Sequence, residues 1–290
     1  MHFYGIVEVF FLSADLHCHT RLSDGSLGID DLIILAKKQG LDTIAITDHD
    51  CLAGTVRGRL IGERHGVTVI PGVELSSTHS KSGKKVHILC YLADAPDRLE
   101  GLCRRNLAAR KRAGQHMIVR VSRRYPVSTE LIVKCASGST NIYKQHIMHA
   151  LMECGLTDRI FGDLYEELFS PESKKNVIVN PRFPEPEEIV EAIHEAGGIA
   201  VLAHPDLFDS YDILDELIPV GLDGVEVWHP LCPKEKQDYL IDVAARHDLL
   251  MTGGSDFHGM YTMAGVSIGD VTVPEENVRQ LLNYKSRRKQ

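Results

Sequence analysis

Apolar positions along the chain switch between the period of a strand and that of a helix, and the switching predicts an α/β protein. Residues 13–19 read as a short strand ending in polar residues. Residues 29–39 repeat their apolar side chains at helical spacing, with Asp30 and Asp31 in the first turn and Gly40 after the end. Residues 41–47 are a short β-branched strand, 56–65 a helix, and 67–74 and 86–91 two further strands. The last third resumes the pattern with helix 186–196, stopped by Gly197 and Gly198. Strand 199–203, helix 213–219, strand 223–227, helix 234–247 and strand 249–252 follow, and a final helix begins near Pro274. Strand, helix, strand at this spacing predicts βα units around a parallel sheet or barrel.

Residues 97–180 break the rhythm. They open with a run rich in Arg and Lys, 104–124, and continue with helical segments at 143–154 and 160–169, without strand alternation. The expectation is a mostly helical insertion at 97–180 between two parts of one α/β domain, 13–96 and 181–290. The apolar run 3–12 contains Glu8, has no basic flank and is too short to span a bilayer, so it reads as a strand or an N-terminal extension.

A chain of 290 residues buries a full core without disulfides, and 43% hydrophobic with 25% charged residues is ordinary for a globular protein. The net charge of -8 excludes a global basic footprint for nucleic acid. The run 104–124 leaves a local one open, against its plainer reading as the solvated face of a helix. Seven dispersed Cys residues with no CxxC pair read as reduced thiols, and so as a cytoplasmic protein with no membrane anchor and no evident obligate protein partner.

The count that changes the picture is fifteen His residues, because of where they stand. Asp15-Leu16-His17-Cys18-His19 ends the first strand, with Asp24-Gly25 close behind. His17 and His19, two apart on extended chain, share a face and can meet one ion; otherwise they are two surface histidines. Asp48-His49-Asp50 ends the second strand, where an Asp-rich turn capping the next helix is the other reading. Glu74 follows an apolar run. His87 stands among aliphatic residues, as a satisfied core histidine also would. His204, Asp256 with His258, and Glu226 with His229 complete the series. Strand ends are where parallel α/β folds keep their functional side chains. Imidazole with carboxylate, and no organised thiolate, suits Zn, Mn or Fe better than Mg or Ca. Cys18 and Cys51 are taken as packing residues.

The stretches DLHCHTRLSDG, ITDHD, PGVELS, VHILCY, AVLAHP and GGSDFHG, in this order, resemble the PHP (polymerase and histidinol phosphatase) superfamily of metal-dependent phosphoesterases. The resemblance covers residues 14–91 and 197–259 and is closest to stand-alone members acting on nucleotides, oligonucleotides or sugar phosphates. It implies a distorted (β/α)7 barrel with a mostly helical insertion and three divalent metal ions at the strand ends. By the same resemblance, His17, His19, Glu74 and Asp256 hold one ion. Glu74, His87 and His204 hold a second, with Glu74 as bridge, and Asp24, His49 and His258 hold the third. Asp15, Asp48 and Asp50 are placed as partners that orient the ligand imidazoles, with a catalytic role also open to Asp48. An Arg-x-His segment that grips phosphate in similar proteins corresponds here to Lys144-Gln145-His146, with Lys in the Arg position. Lysine is a point charge without the bidentate fork, which separates this chain's substrate choice from theirs.

The implied reaction is attack on phosphorus by a metal-activated hydroxide, with His229 protonating the leaving oxygen or binding phosphate; the plain alternative for His229 is a capping residue before Pro230. The expected substrate is a small phosphorylated metabolite, such as a nucleotide or a ribose phosphate, as monoester or cyclic diester. A 5′-3′ exonuclease on short RNA or DNA is the alternative that the basic run would serve. A non-catalytic metal-binding regulatory module is the reading from another class, and the intact set of candidate ligands argues against it.

Overall fold

A computed structural model describes residues 13–263 and 265–288, with side chains for all of these except 285–288. The run 3–12 lies outside the described residues. Seven strands form one sheet in chain order: β1 (Ala14–Cys18), β2 (Thr43–Ile46), β3 (Thr68–Thr78), β4 (Lys85–Tyr91), β5 (Ile199–Leu202), β6 (Gly224–Trp228) and β7 (Leu250–Gly253). The sheet curls until the segment after β7 returns to β1. There the His19 N–H donates to the Phe257 carbonyl at 2.9 Å, and Cys18 bridges Phe257 in parallel. The result is a nearly closed seven-stranded barrel ringed by helices.

The sheet is not wholly parallel, as the βα pattern predicts. β1–β2–β3 and β5–β6–β7 pair in parallel, but β4 runs antiparallel to both β3 and β5. The cause is local. Only residues 79–84 join β3 to β4, and a parallel crossover needs a dozen or more. β3 also continues to Thr78, so Glu74 is a mid-strand residue and not a strand end.

Helices α1 (Ile29–Lys38), α2 (Thr55–His65), α7 (Pro186–Glu195), α8 (Tyr211–Leu217) and α9 (Lys234–His247) cover the outside of the strands. α7 shows why. Its Ile189, Val190 and Ile193 recur at helical spacing and are fully buried in one cluster with Val73, Ile88 and Leu202. Each such side chain contributes roughly 1.5–3 kcal/mol by leaving water. A second cluster joins Leu16, Ile70, Leu89, Tyr91 and Val201 to Val278 and Leu281 of α10 (Glu275–Arg288).

Between β4 and β5 lie α3 (Glu100–Ser122), α4 (Thr129–Cys135), α5 (Lys144–Glu153) and α6 (Asp163–Phe169). They share a core of their own, with Met117, Val121, Ile132, Ile147, Leu151 and Leu168 buried together. Arg104, Lys111, Arg112 and Arg120 on α3 are exposed, as a solvated face requires. Arg110 departs from that face: it turns inward, and its guanidinium pairs with the buried Asp50 at 3.2 Å.

Gly254, just past β7, is where the backbone closes on β1. A Cβ built there meets the His17 backbone N at 2.4 Å and Cβ at 2.6 Å. Neither is a flexible side-chain end, so the strands must separate. Gly254→Ala is expected to destabilise the fold by about 1–3 kcal/mol, read as a lower denaturation midpoint at unchanged m-value.

Candidate metal centre

The chain direction of each strand explains how scattered residues meet. β1, β2, β5, β6 and β7 end at one rim of the barrel, and the loops leaving it carry His19, Asp24, His49, His204, Asp256 and His258. His87 reaches the same rim from a different position, as the third residue of β4. Because β4 runs backwards, its start lies where the parallel strands finish. That reversal takes a histidine set among aliphatic residues out of the core. His204, Asp256 and Asp50 have φ of +25°, +50° and +51°. Non-glycine residues in this left-handed region cost of the order of 1–3 kcal/mol each, and such strain gathers at functional sites.

Glu74 is the centre of the arrangement, with 1% of its surface exposed. Its Oε2 lies 3.4 Å from His17 Nε2 and 3.3 Å from His19 Nε2, and Asp256 Oδ1 lies 3.4 and 3.2 Å from the same two nitrogens. Donor atoms about 2.0–2.1 Å from a tetrahedral ion stand about 3.3–3.4 Å apart, so each of the two nitrogens stands from both oxygens at the spacing of ligands to one ion. The other oxygen, Oε1, lies 2.7 Å from His87 Nδ1 and 2.8 Å from His204 Nε2, and those two nitrogens are 3.4 Å apart. The two oxygens of Glu74 thus face two different sets of nitrogens.

The third set is looser. Asp24 Oδ1 is 3.2 Å from His258 Nε2, and its Oδ2 is 3.8 Å from His49 Nε2. The sets also overlap more than the resemblance implies. His19 comes within reach of Asp24, His49 and His258, and His49 within reach of Glu74 and His87.

The residues fit metal ions on a test independent of any relative. Nε2 of His17, Nε2 of His19, Nδ1 of His49, Oδ1 of Asp24 and Oε2 of Glu74 are all buried without a hydrogen-bond partner. Buried polar atoms are normally paired, and leaving one unmade costs about 1–3 kcal/mol. Five orphaned donor atoms turned toward one another are satisfied together by cations. Burial alone raises a carboxyl pKa, yet the surrounding imidazoles hold Asp24, Glu74 and Asp256 well below the usual carboxylate range. Burial likewise opposes charge on His17, but Glu226, Asp256 and Glu74 hold its pKa well above the ordinary value. At His87 burial prevails and pushes the pKa down to about 4, which keeps the imidazole neutral and able to ligate.

Several expected roles do not match the surroundings. Asp48, expected to act in catalysis or to orient an imidazole, is saturated by the Thr20 N–H at 2.8 Å and the Thr20 and Ser23 hydroxyls at 2.6 Å each. It ties down the loop after β1. Asp15 accepts from the Ser255 and Gly269 N–H groups, both at 2.9 Å, and Asp50 accepts from Ser76, Asn106 and Arg110. Among the described residues, none of these three carboxylates bonds to an imidazole. Backbone amides at loop starts and the cation from α3 claim them first.

The residue that does hold an imidazole is Glu226, 2.9 Å from His17 Nδ1. Its sequence signal was its place beside His229 at the end of β6. His146, expected to bind substrate, is 1% exposed. Its Nδ1 accepts from the Tyr143 N–H, and its ring packs edge-on between Tyr143 and Tyr261. It caps α5 and does not line the cleft. Lys144 does line the cleft. His229 does two things at once: Nδ1 accepts from the Leu231 N–H, as a capping residue would, while Nε2 lies 3.5 Å from Asp256 Oδ2. Missed in the sequence were Arg110 and Lys85, which line the same cleft. Arg110 was hidden in a basic run, and Lys85 in a strand start.

The PHP domain family model matches residues 15–198 of this chain. The chain belongs to the PHP family. A phosphoribosyl 1,2-cyclic phosphate 1,2-diphosphodiesterase from Eggerthella lenta is 36% identical over 252 residues, covering 85% of this chain and 94% of the relative. A 5′-3′ exoribonuclease from Salmonella typhimurium is 30% identical, covering 84% of each. Among solved structures, a Bifidobacterium adolescentis protein assigned as a metal-dependent phosphoesterase superposes with a TM-score of 0.84 at 32% identity, over 93% of this chain and 95% of that one. This PHP protein is therefore a metal-dependent phosphoesterase, a hydrolase, on a PHP barrel. No helix among the described residues is long and apolar enough to cross a membrane.

Proposed function

We propose that the chain hydrolyses phosphate esters of nucleotides or ribose phosphates, as monoesters or cyclic diesters. The observation that carries this reading is one cleft of about 300 Å³ that the Glu74-centred cluster shares with Lys85, Arg110 and Lys144. Its volume is at the small end for ligand sites. It suits a compact metabolite with a phosphate at the cluster and further negative charge against the three cations. The E. lenta relative, named for a phosphoribosyl cyclic phosphate, supports the same class.

In this reading Mn, Zn or Fe ions occupy three positions. His17, His19, Glu74 and Asp256 would hold one, Glu74, His87 and His204 a second, and Asp24, His49 and His258 the third. The spacing around Glu74 supports it as the bridge. When bound, such ions would neutralise charge on the phosphoryl oxygens and bring the pKa of water toward neutrality. The chain's own residues do the rest. His229, with Nδ1 occupied by the Leu231 N–H, carries its hydrogen on Nε2 beside Asp256 and donates it to the leaving oxygen. Phe208 packs edge-on against His87 and His204 and keeps water off that side. Residues 97–180 act as the substrate cap, contributing Arg110 and Lys144.

Lys144 gives this reading a pH signature. Burial first, and Lys85 second, lower its pKa to about 8. Lys144 is cationic below that pH and neutral above it, so affinity for a phosphorylated substrate falls as pH rises through about 8. KM is expected to climb over that window. Lys144→Met is expected to raise KM roughly tenfold at pH 7 and to abolish the climb, whereas Lys144→Arg keeps its charge throughout. A flat KM profile from pH 7 to 9 in the parent enzyme removes Lys144 from substrate binding.

The deciding experiment compares kcat/KM of Mn-loaded enzyme on a ribose cyclic phosphate, a nucleoside bisphosphate and a short 5′-phosphorylated RNA. Higher values on the small substrates are expected. The Salmonella relative and the exposed cations of α3 favour exoribonuclease action as the second reading. A preference for RNA, with binding that falls steeply as salt rises, replaces the first reading with it.

A further inference from the structure

We propose that Glu226 is a positioning residue that sets the tautomer of His17 and the backbone of His204, one imidazole from each of the two sets that meet at Glu74. The proposal rests on the metal assignment above. Glu226 lies in β6 with 1% of its surface exposed, so no solvent competes for its oxygens. Oε1 is 2.9 Å from His17 Nδ1, and Oε2 accepts from the His204 N–H at 2.8 Å.

Each bond has a definite consequence. An ionised carboxylate only accepts, so the ring hydrogen of His17 belongs on Nδ1. The lone pair of Nε2 is then free, and Nε2 is the atom that faces Glu74 and Asp256 without a hydrogen-bond partner. At His204 the chain leaves β5 with φ of +25°. Its N–H, turned inward onto Glu226, holds that unfavourable backbone in place. The same turn aims Nε2 at Glu74 Oε1, 2.8 Å away. One carboxylate thereby aligns a nitrogen on each side of the bridging glutamate. Such supports of ligand imidazoles typically change metal affinity by about 10–100-fold.

The near-isosteric change to Gln separates this role from packing. Glu226 uses two acceptors, and an amide offers one. If the Gln NH2 faces His17, it donates to Nδ1 and drives the ring hydrogen to Nε2, the atom needed for the ion. If it faces His204, two N–H groups oppose each other.

The test purifies the parent, Glu226→Gln and Glu226→Asp, checks folding by circular dichroism, and loads each identically with Mn or Co. Bound metal is counted by mass spectrometry, the Co(II) visible spectrum is recorded, and kcat and KM are separated. Glu226→Gln is expected to stay folded, to bind metal about 10–100-fold more weakly, and to show an altered Co(II) spectrum. Its kcat should fall more than its KM rises. Glu226→Asp, still acceptor-only, should recover part of the affinity. Parent-like metal affinity and Co(II) spectrum in folded Glu226→Gln overturn the proposal. Long-range 15N NMR of the parent loaded with diamagnetic Zn tests the tautomer directly, whether or not the Gln variant folds. Hydrogen on His17 Nδ1 is expected, and hydrogen on Nε2 overturns it. A parent that binds no metal overturns the underlying assignment instead, and metal counting on the parent alone tells the two failures apart.

Discussion

Glu74→Ala is expected to lose bound metal and phosphoesterase turnover together, with kcat/KM falling by at least about 10³-fold. Both carboxylate oxygens are committed, Oε2 toward His17 and His19 and Oε1 toward His87 and His204. In the proposed assignment, removing the side chain takes one charged donor from two ion positions at once and leaves the imidazoles facing one another. A loss of about 4 kcal/mol in transition-state stabilisation corresponds to that factor, and a single metal contact to phosphoryl oxygen supplies several kcal/mol. Glu74→Gln, which keeps the shape and loses the charge, should fall between the parent and Ala. Metal counting beside steady-state kinetics reads both effects. Full activity in Glu74→Ala sinks the bridging assignment.

Removing metal should cost stability on a comparable scale. Five buried donor atoms in the Glu74 cluster have no hydrogen-bond partner among the described residues, so ions that satisfy them bind the folded chain far better than the unfolded one. At a free metal concentration about a thousandfold above Kd, the gain is about 4 kcal/mol. For a domain of this size that is roughly 8–16 °C in Tm. Thermal unfolding with and without chelator is expected to differ by such an amount at pH 7.5. The difference should shrink progressively on acidification from about pH 7.5, because ions compete with protons for imidazole and the neighbouring carboxylates hold the pKa of His17 above its ordinary value. Equal Tm in chelator and in excess Mn contradicts a structural share for the ions.

Most element types were legible in the chain because the apolar periods are clean. α9 has the bounds its pattern predicts, and α1 and α7 each end one residue short of theirs. The failures have identifiable causes. Period alone cannot say whether two neighbouring strands pair parallel or antiparallel, so the direction of β4 was invisible until the 79–84 connection was taken into account. His87 looked like a core residue for the same reason. Asp48 and Asp50 stand beside His49 in sequence, yet a peptide bond between neighbours says nothing about where two side chains point. One turns to Thr20 and Ser23, the other to Ser76, Asn106 and Arg110. Arg110 was lost among equally charged neighbours, since a basic run does not reveal which of its members faces inward.

The amino-acid sequence by itself determined the chemistry available to this protein. Histidine and carboxylate recur at the ends of short apolar strands, and strand periodicity turns such residues toward a common rim whatever the details of packing. What only the tertiary structure decided is the pairing of individual atoms: which oxygen of Glu74 meets which imidazole, and which carboxylate fixes His17. Those pairings span residues such as His17 and Glu226, 209 positions apart. They depend on strand direction, backbone turns and register, which arise only when the barrel closes.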